Sequence, residues 1–175
     1  NFNNRHASNY YDKLVQEFGE PSILVDKPDG IAIWKGADFF EEIILRDEGI
    51  EHLELPSYRA HCDFLYSTVH VYIPDELINT ILNLGLSLNY DRIKMELTNR
   101  CYFMGANVAV LWLAMKLIEN PQHYNAIKTQ YESAINASKD VYNYRKMYEE
   151  LKQMVRDNQS KYDTLLPSRK CMFAT

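Results

Sequence analysis

Five side chains of this sequence could act together on a metal ion or a reacting bond: His52, His61, Cys62, Asp63 and His70. A zinc centre takes two close pairs of such ligands at short, regular spacings. His61 and Cys62 are adjacent, so on an extended segment they point to opposite faces. His61, Asp63 and Leu65 then share one face, while Cys62 and His70 share the other but stand far apart along it. Ordinary hydrogen bonding of loop and strand residues is the expectation, and no metal is assigned. A nucleophilic pair could be built from Cys101 with His61 or His70. Cys101, however, falls on the apolar stripe of a predicted helix, where cysteine serves as a small hydrophobe. Asp75 and Glu76 could be paired carboxylates, but acidic residues at a helix start already follow from the helix dipole. The glycines are isolated and form neither a dinucleotide fingerprint nor a phosphate loop. These residues predict a non-enzyme without catalytic residues or cofactor. A small enzyme or ligand-binding domain, with its site near His61, Asp63, His70 and Cys101, is the rival.

The tyrosines point to another kind of chemistry. From Gln122 to Ser160 the chain has no Gly or Pro and carries five tyrosines, Tyr124, Tyr131, Tyr142, Tyr144 and Tyr148. At about 1.5 Å per residue, a continuous helix there would outreach a small domain. Ala134, Ala137, Val141, Tyr144, Tyr148, Leu151 and Val155 alternate spacings of three and four, a heptad seam. Tyr124, Ile127 and Tyr131 form a separate stripe, which places a break near Asn136–Ser138. Tyr142 lies off the Tyr144–Tyr148 seam, so one helix shows tyrosine on two faces. Tyrosine brings large contact area at small entropic cost. The expected partner-binding residues are therefore Tyr131, Tyr142, Tyr144, Tyr148 and Leu151. Met172 and Phe173 join them as an apolar docking tip on an extended tail over 161–175. The projecting part is expected over Ala134–Val155, with Gln122–Ile135 packed on the domain; the alternative is that all five tyrosines serve only to pack the helix on its own domain.

The elements that must position these groups come from periodicity. Tyr11, Leu14, Val15 and Phe18 predict a helix over Asn9–Phe18, stopped by Gly19. Ile23–Val25 and Ile31–Trp34 flank a turn containing Pro28 and Gly30, a hairpin signal. Glu41–Arg46 reads as a third strand, and a loop is expected through Gly49 and Pro56. Cys62–Ile73 is the best long strand. Leu65, Val69, Val71 and Ile73 form its aliphatic core face, and Phe64, Tyr66, Thr68, His70 and Tyr72 line the other. That second face could lie under a helix, or it could meet a partner. After Pro74, Leu77, Ile78, Ile81 and Leu82 predict a helix ended by Gly85. A second helix is expected from Asn89, with Ile93, Leu97 and Cys101 on one stripe, continuing through Gly105 into Ala106–Glu119. Val108–Met115 is apolar all round, the mark of a central core helix, and Asn120-Pro121 ends it.

The 175 residues suit one domain with an appended arm, and 46% hydrophobic residues suffice for a core. A formal charge of −5 argues against nucleic acid as the main partner. The longest apolar run is too short to span a membrane. Asn1 is not Met and 1–11 is polar, so a processed or trimmed start without a secretion signal is expected. Three widely spaced cysteines, Cys62, Cys101 and Cys171, suggest a reducing compartment. Asn136-Ala137-Ser138 and Asn158-Gln159-Ser160 match the glycosylation sequon but fall in predicted helix, where they read as chance.

Two stretches resemble small proteins of large icosahedral double-stranded DNA viruses. One is Tyr11-Asp12-Lys13-Leu14-Val15 through Phe18-Gly19-Glu20-Pro21 to Gly30-Ile31-Ala32-Ile33-Trp34-Lys35. The other is Asp63-Phe64-Leu65-Tyr66 through Ile73-Pro74 to Arg100-Cys101 and Gly105-Ala106-Asn107-Val108-Ala109. The resemblance implies a viral origin and no more; abundant proteins of such viruses include minor capsid components, and a small acidic domain with a helical arm would suit that role. The resemblance carries over no functional residues. The combined expectation is an α+β core domain at 1–121 with a short N-terminal helix and an antiparallel sheet of three or four strands. A long helical arm at 122–160 and a tail at 161–175 complete it. Its expected function is structural: a virion component in the virion or host cytoplasm, bound to capsid proteins or to itself.

Overall fold

The computed structural model describes residues 2, 5–26, 30–54, 59–84, 87–101, 103–136 and 144–166. Six strands form one antiparallel sheet in the order β1-β2-β3-β4-β6-β5. They are β1 (Ile23–Val25), β2 (Ile31–Lys35), β3 (Glu42–Glu54), β4 (Arg59–His70), β5 (Leu88–Asp91) and β6 (Glu96–Cys101). The helices are α1 (Arg5–Phe18), α2 (Asp75–Leu82), α3 (Met104–Glu119), α4 (Tyr124–Asn136) and α5 (Tyr144–Lys161). The α+β class is as expected, but the sheet has six strands rather than three or four.

The first half follows the local signals. α1 starts four residues before the expected Asn9 and ends at Phe18, where Gly19 takes φ 80° and its N–H bonds the Val15 carbonyl. Gly30 has φ 41°, and a Cβ there would come within 2.8 Å of Asp47 Cβ, so only glycine lets β2 start so close to β3. The predicted loop through Gly49 is instead strand. β3 runs on to Glu54 and pairs with β4 down to Arg59, with a register shift between Leu45 and Ile50. Such a shift lets one strand carry extra residues past its partner and continue the ladder. Pro56 lies outside the described residues.

The helix expected from Asn89 is a hairpin, β5–β6, which adds two strands to the sheet. Leu97 and Cys101 are four apart, and four is both close to one helical turn and two strand repeats, so their spacing fits either element. Ile93 separates the readings: it sits in the turn at 88% exposure. The Asp91 carboxylate closes that turn by accepting the Ile93 and Lys94 N–H groups at 2.9 Å.

One face of the sheet carries Ala32, Trp34, Ile43, Leu45, Leu65, Val69 and Leu97, all 2% exposed or less. Helix α3 lies across it. Asn107 donates to the Leu65 carbonyl at 3.1 Å and to Ser67 Oγ at 3.0 Å, and accepts from Asn99 at 2.8 Å. A fully buried asparagine is thus satisfied by β4 and β6 and fixes α3 on them. As expected, α3 is buried nearly all round and ends before Asn120-Pro121.

Within the arm expected at 122–160, the stretch expected to project, Ala134–Val155, instead packs on the domain over its described residues. α4 and α5 both pack on α3, and Tyr148, Leu151, Met154 and Val155 lie in the main core. The heptad seam is present over Tyr144–Val155, but it faces the chain's own domain. Residues 137–143, where the break was expected, lie outside the described ones, as do Gly85 and the tail from 167 onward.

Candidate functional site

Of the residues named for the rival enzyme site, Cys101 and His70 do not come together. Leu65 pairs with Cys101 and His70 with Glu96, so Cys101 and His70 stand at opposite ends of the β4–β6 ladder. Five residues at about 3.3 Å each separate them along the strand. They also face opposite sides of the sheet, which rules out a Cys101–His70 nucleophilic pair. The expected core helix around Cys101 is strand β6. His52 pairs with His61 and Glu51 with Cys62 across β3–β4, while the side chains of 48–63 are outside the described set. Among the described residues no group of three or more His, Cys, Asp or Glu is placed to hold a metal. Asp75 and Glu76 occupy the exposed first turn of α2.

The expected partner-binding residues divide. Tyr148 and Leu151 are 3% and 0% exposed, buried against their own sheet and α3, so they offer no free surface. Tyr131 and Tyr144 are half-buried against the same core. Burial, then the neighbouring Cys101 and Glu132, pushes the Tyr131 hydroxyl up to about 12. Tyr142, Met172 and Phe173 lie outside the described residues.

A polar cluster that the spacing did not announce surrounds Asp38, in the turn between β2 and β3. Asp38 has φ 56°, a left-handed conformation that aspartate tolerates better than most residues. Its carboxylate accepts from Tyr148 Oη at 2.7 Å and Lys152 Nζ at 3.0 Å, with Arg156 at 3.8 Å. Burial raises the Asp38 pKa, but these hydrogen bonds and the Lys152 and Arg156 charges outweigh it and hold the carboxyl below its usual range. Burial, the Asp38 hydrogen bond and the nearby acids push the Tyr148 hydroxyl well up. A tyrosine so held gives no base. An adjoining cleft of about 400 Å³ has Glu17, Arg145 and Glu149 at its walls. Glu17 in turn accepts from Tyr144 Oη at 3.2 Å. These paired charges bind α5 to the sheet and to α1.

Among the described residues, a strand whose side chains are all exposed and apolar lies at one edge of the sheet. β1 is an edge strand, and Ile23, Leu24 and Val25 are 41%, 47% and 44% exposed. Register places Ile23, Ile33, Ile44, Tyr66 and Arg100 in one row across five strands, on the face opposite α3. Ile33, Ile44 and Tyr66 are half-buried, and none of this row belongs to the hydrophobic core. The Arg46 guanidinium lies 5.8 Å from the centre of the Tyr66 ring on the same face. A sheet edge of this kind presents unpaired N–H and C=O groups.

Between β1 and α1 lies a cleft of about 350 Å³ lined by Phe2, Ser8, Tyr11, Asp12, Leu24 and Asp26. The Tyr11 ring is 5.5 Å from Phe2 and 6.0 Å from Trp34, and Trp34 Nε1 donates to the Gly19 carbonyl at 2.8 Å. Burial, then Glu20, Asp12 and Asp26, raises the Tyr11 hydroxyl pKa, and of these acids Asp12 and Asp26 line the cleft itself. The strand itself was readable from Ile23-Leu24-Val25. Its place at the edge was not, because the order of strands depends on distant pairings.

Comparison with protein-family models, curated proteins and solved structures returns no match.

Proposed function

We propose that this chain is a non-enzymatic interaction protein that meets its partners through the β1 edge and the open face of its sheet. The observation that carries this reading is the apolar row Ile23, Ile33, Ile44 and Tyr66, which runs from an edge strand across the face without α3. Ile23 is 41% exposed and the rest of the row is half-buried, and contiguous apolar surface left in part to solvent marks a site of interaction. The resemblance to small viral proteins makes a virion our proposed setting, with this chain a minor component against capsid proteins. The helix once expected to make those contacts is spent on the chain's own core at Tyr148 and Leu151.

The test is a paired charge substitution, Ile33→Lys with Ile44→Glu, whose opposite charges fall on directly paired positions and do not repel within the sheet. Both side chains are only half-buried and outside the core, so the far-ultraviolet circular dichroism should persist. Native purification followed by size measurement should show assembly weakened by about tenfold or more, as for loss of an interface centre. Unchanged assembly in the folded variant would overturn the proposal.

A further inference from the structure

We infer that the β1 edge takes up an extended, basic strand from another protein, with a lysine or arginine of that strand entering the cleft between β1 and α1. The inference rests on the proposed role of the sheet as a docking surface and names the chemistry of what docks.

The geometry sets the pattern of the incoming strand. A peptide added beside β1 would bond the outer row of backbone groups, the mode by which sheet edges capture extended segments. Its side chains would alternate between the two faces. Those on the open face would lengthen the apolar surface begun by Ile23 and Val25, so apolar residues belong there. Those on the α1 side would fall beside Leu24, in the cleft floored by Phe2 and Tyr11 and walled by Asp12 and Asp26. A long basic side chain fits this cleft on two counts. Its aliphatic stem can lie along Leu24 and the rings, and its charged end can reach the carboxylates and the aromatic faces. The required pattern is therefore apolar and basic in alternation.

Charge also decides against a second copy of this chain. Pairing two β1 edges would bring Asp12, Glu20 and Asp26 of one copy towards the same acids of the other, in a chain already at −5. Like charges placed opposite one another on paired strands destabilise the pair. A basic strand gains from the field that a second copy would oppose.

The experiment uses the full chain and three end-capped peptides. One alternates valine and lysine, one alternates valine and glutamate, and one has the first composition in separate valine and lysine blocks. Trp34, stacked near Tyr11, supplies a fluorescence signal, and amide exchange at 23–26 reports strand addition. The alternating valine–lysine peptide should bind, protect those amides and weaken with added salt. Asp12→Asn with Asp26→Asn should weaken it by about tenfold, and so should Leu24→Lys, which leaves the carboxylates in place. Both variants alter exposed positions and should stay folded. Equal binding by the glutamate or block peptide, protection elsewhere, or no binding at all would overturn the inference. So would protection of 23–25 that rises with protein concentration in the absence of peptide, because it signals self-pairing. The two ideas fail separately. If the isoleucine variants abolish assembly while no peptide binds, the docking face stands and the basic strand falls. If the peptide binds but the isoleucine variants assemble normally, the strand site stands and the role of the open face falls.

Discussion

Asp38 holds the turn between β2 and β3 in a left-handed conformation and ties it to α5 through Tyr148 and Lys152. Tyr148 also packs against Phe39 and Phe40, at ring separations of 5.1 and 6.2 Å, so the carboxylate locks an aromatic cluster from its polar side. Asn tolerates the same backbone angle, which makes Asp38→Asn a test of charge alone. The variant should lose about 1–2 kcal/mol of unfolding free energy at neutral pH, measured by denaturant titration. The folded pKa of Asp38 lies below the unfolded one, so the stability it confers is present above the unfolded value and lost as pH falls through the folded value. The difference between wild type and variant should therefore shrink below about pH 4. Nothing in the spacing near Asp38 announced this role, because its donors come from more than 100 residues away.

Helix α5 closes a gap that the sheet leaves open. β3 pairs with β4 only as far as Thr68, so among the described residues the chain from the end of β4 to Tyr72 has no strand on that side. Asn158 takes the place of the missing strand. Its amide donates to the Tyr72 carbonyl at 3.0 Å, and its carbonyl accepts the Tyr72 N–H at 2.8 Å. Gln159 donates to the His70 carbonyl at 2.9 Å, and the Tyr162 ring packs against Tyr72 at 4.5 Å between centres, tilted by 42°. Asn158→Ala would strip both partners from Tyr72 and should cost about 2–4 kcal/mol, read from chemical denaturation. Asn158 is 6% exposed and engaged at both ends of its amide, which accords with reading its sequon as chance.

In the whole molecule, one layer of helices covers one face of the sheet, and the core depends on both ends of the chain. Trp112 on α3 donates to Glu150 on α5 at 2.7 Å, and Lys116 reaches the same carboxylate at 3.8 Å. α5 therefore belongs to the core of the domain, although the sequence set it apart as an arm. Truncation after Asn120 would strip α4 and α5 from α3 and uncover Trp112, now 3% exposed and bonded to Glu150. The truncated chain should lose cooperative thermal unfolding and aggregate, where a core independent of α5 would keep its transition.

Local pattern alone was enough for α1, the β1–β2 hairpin, α2, α3 and the core face of β4. Each is specified by neighbours within a few turns or strand repeats: Gly19 after Phe18, Gly30 before Ile31, Pro121 after Asn120, and the alternation of Leu65 and Val69. The aliphatic stripe of α5 was equally legible over Tyr144–Val155. What covers that stripe was not, since an amphipathic face demands burial without stating against what. Leu97 and Cys101 could not choose between helix and strand, and pairing with β4 made the choice. The edge position of β1, the acidic cleft beside it and the Asp38 latch belong to the tertiary structure alone. Each joins groups that only long-range strand order and helix docking bring together.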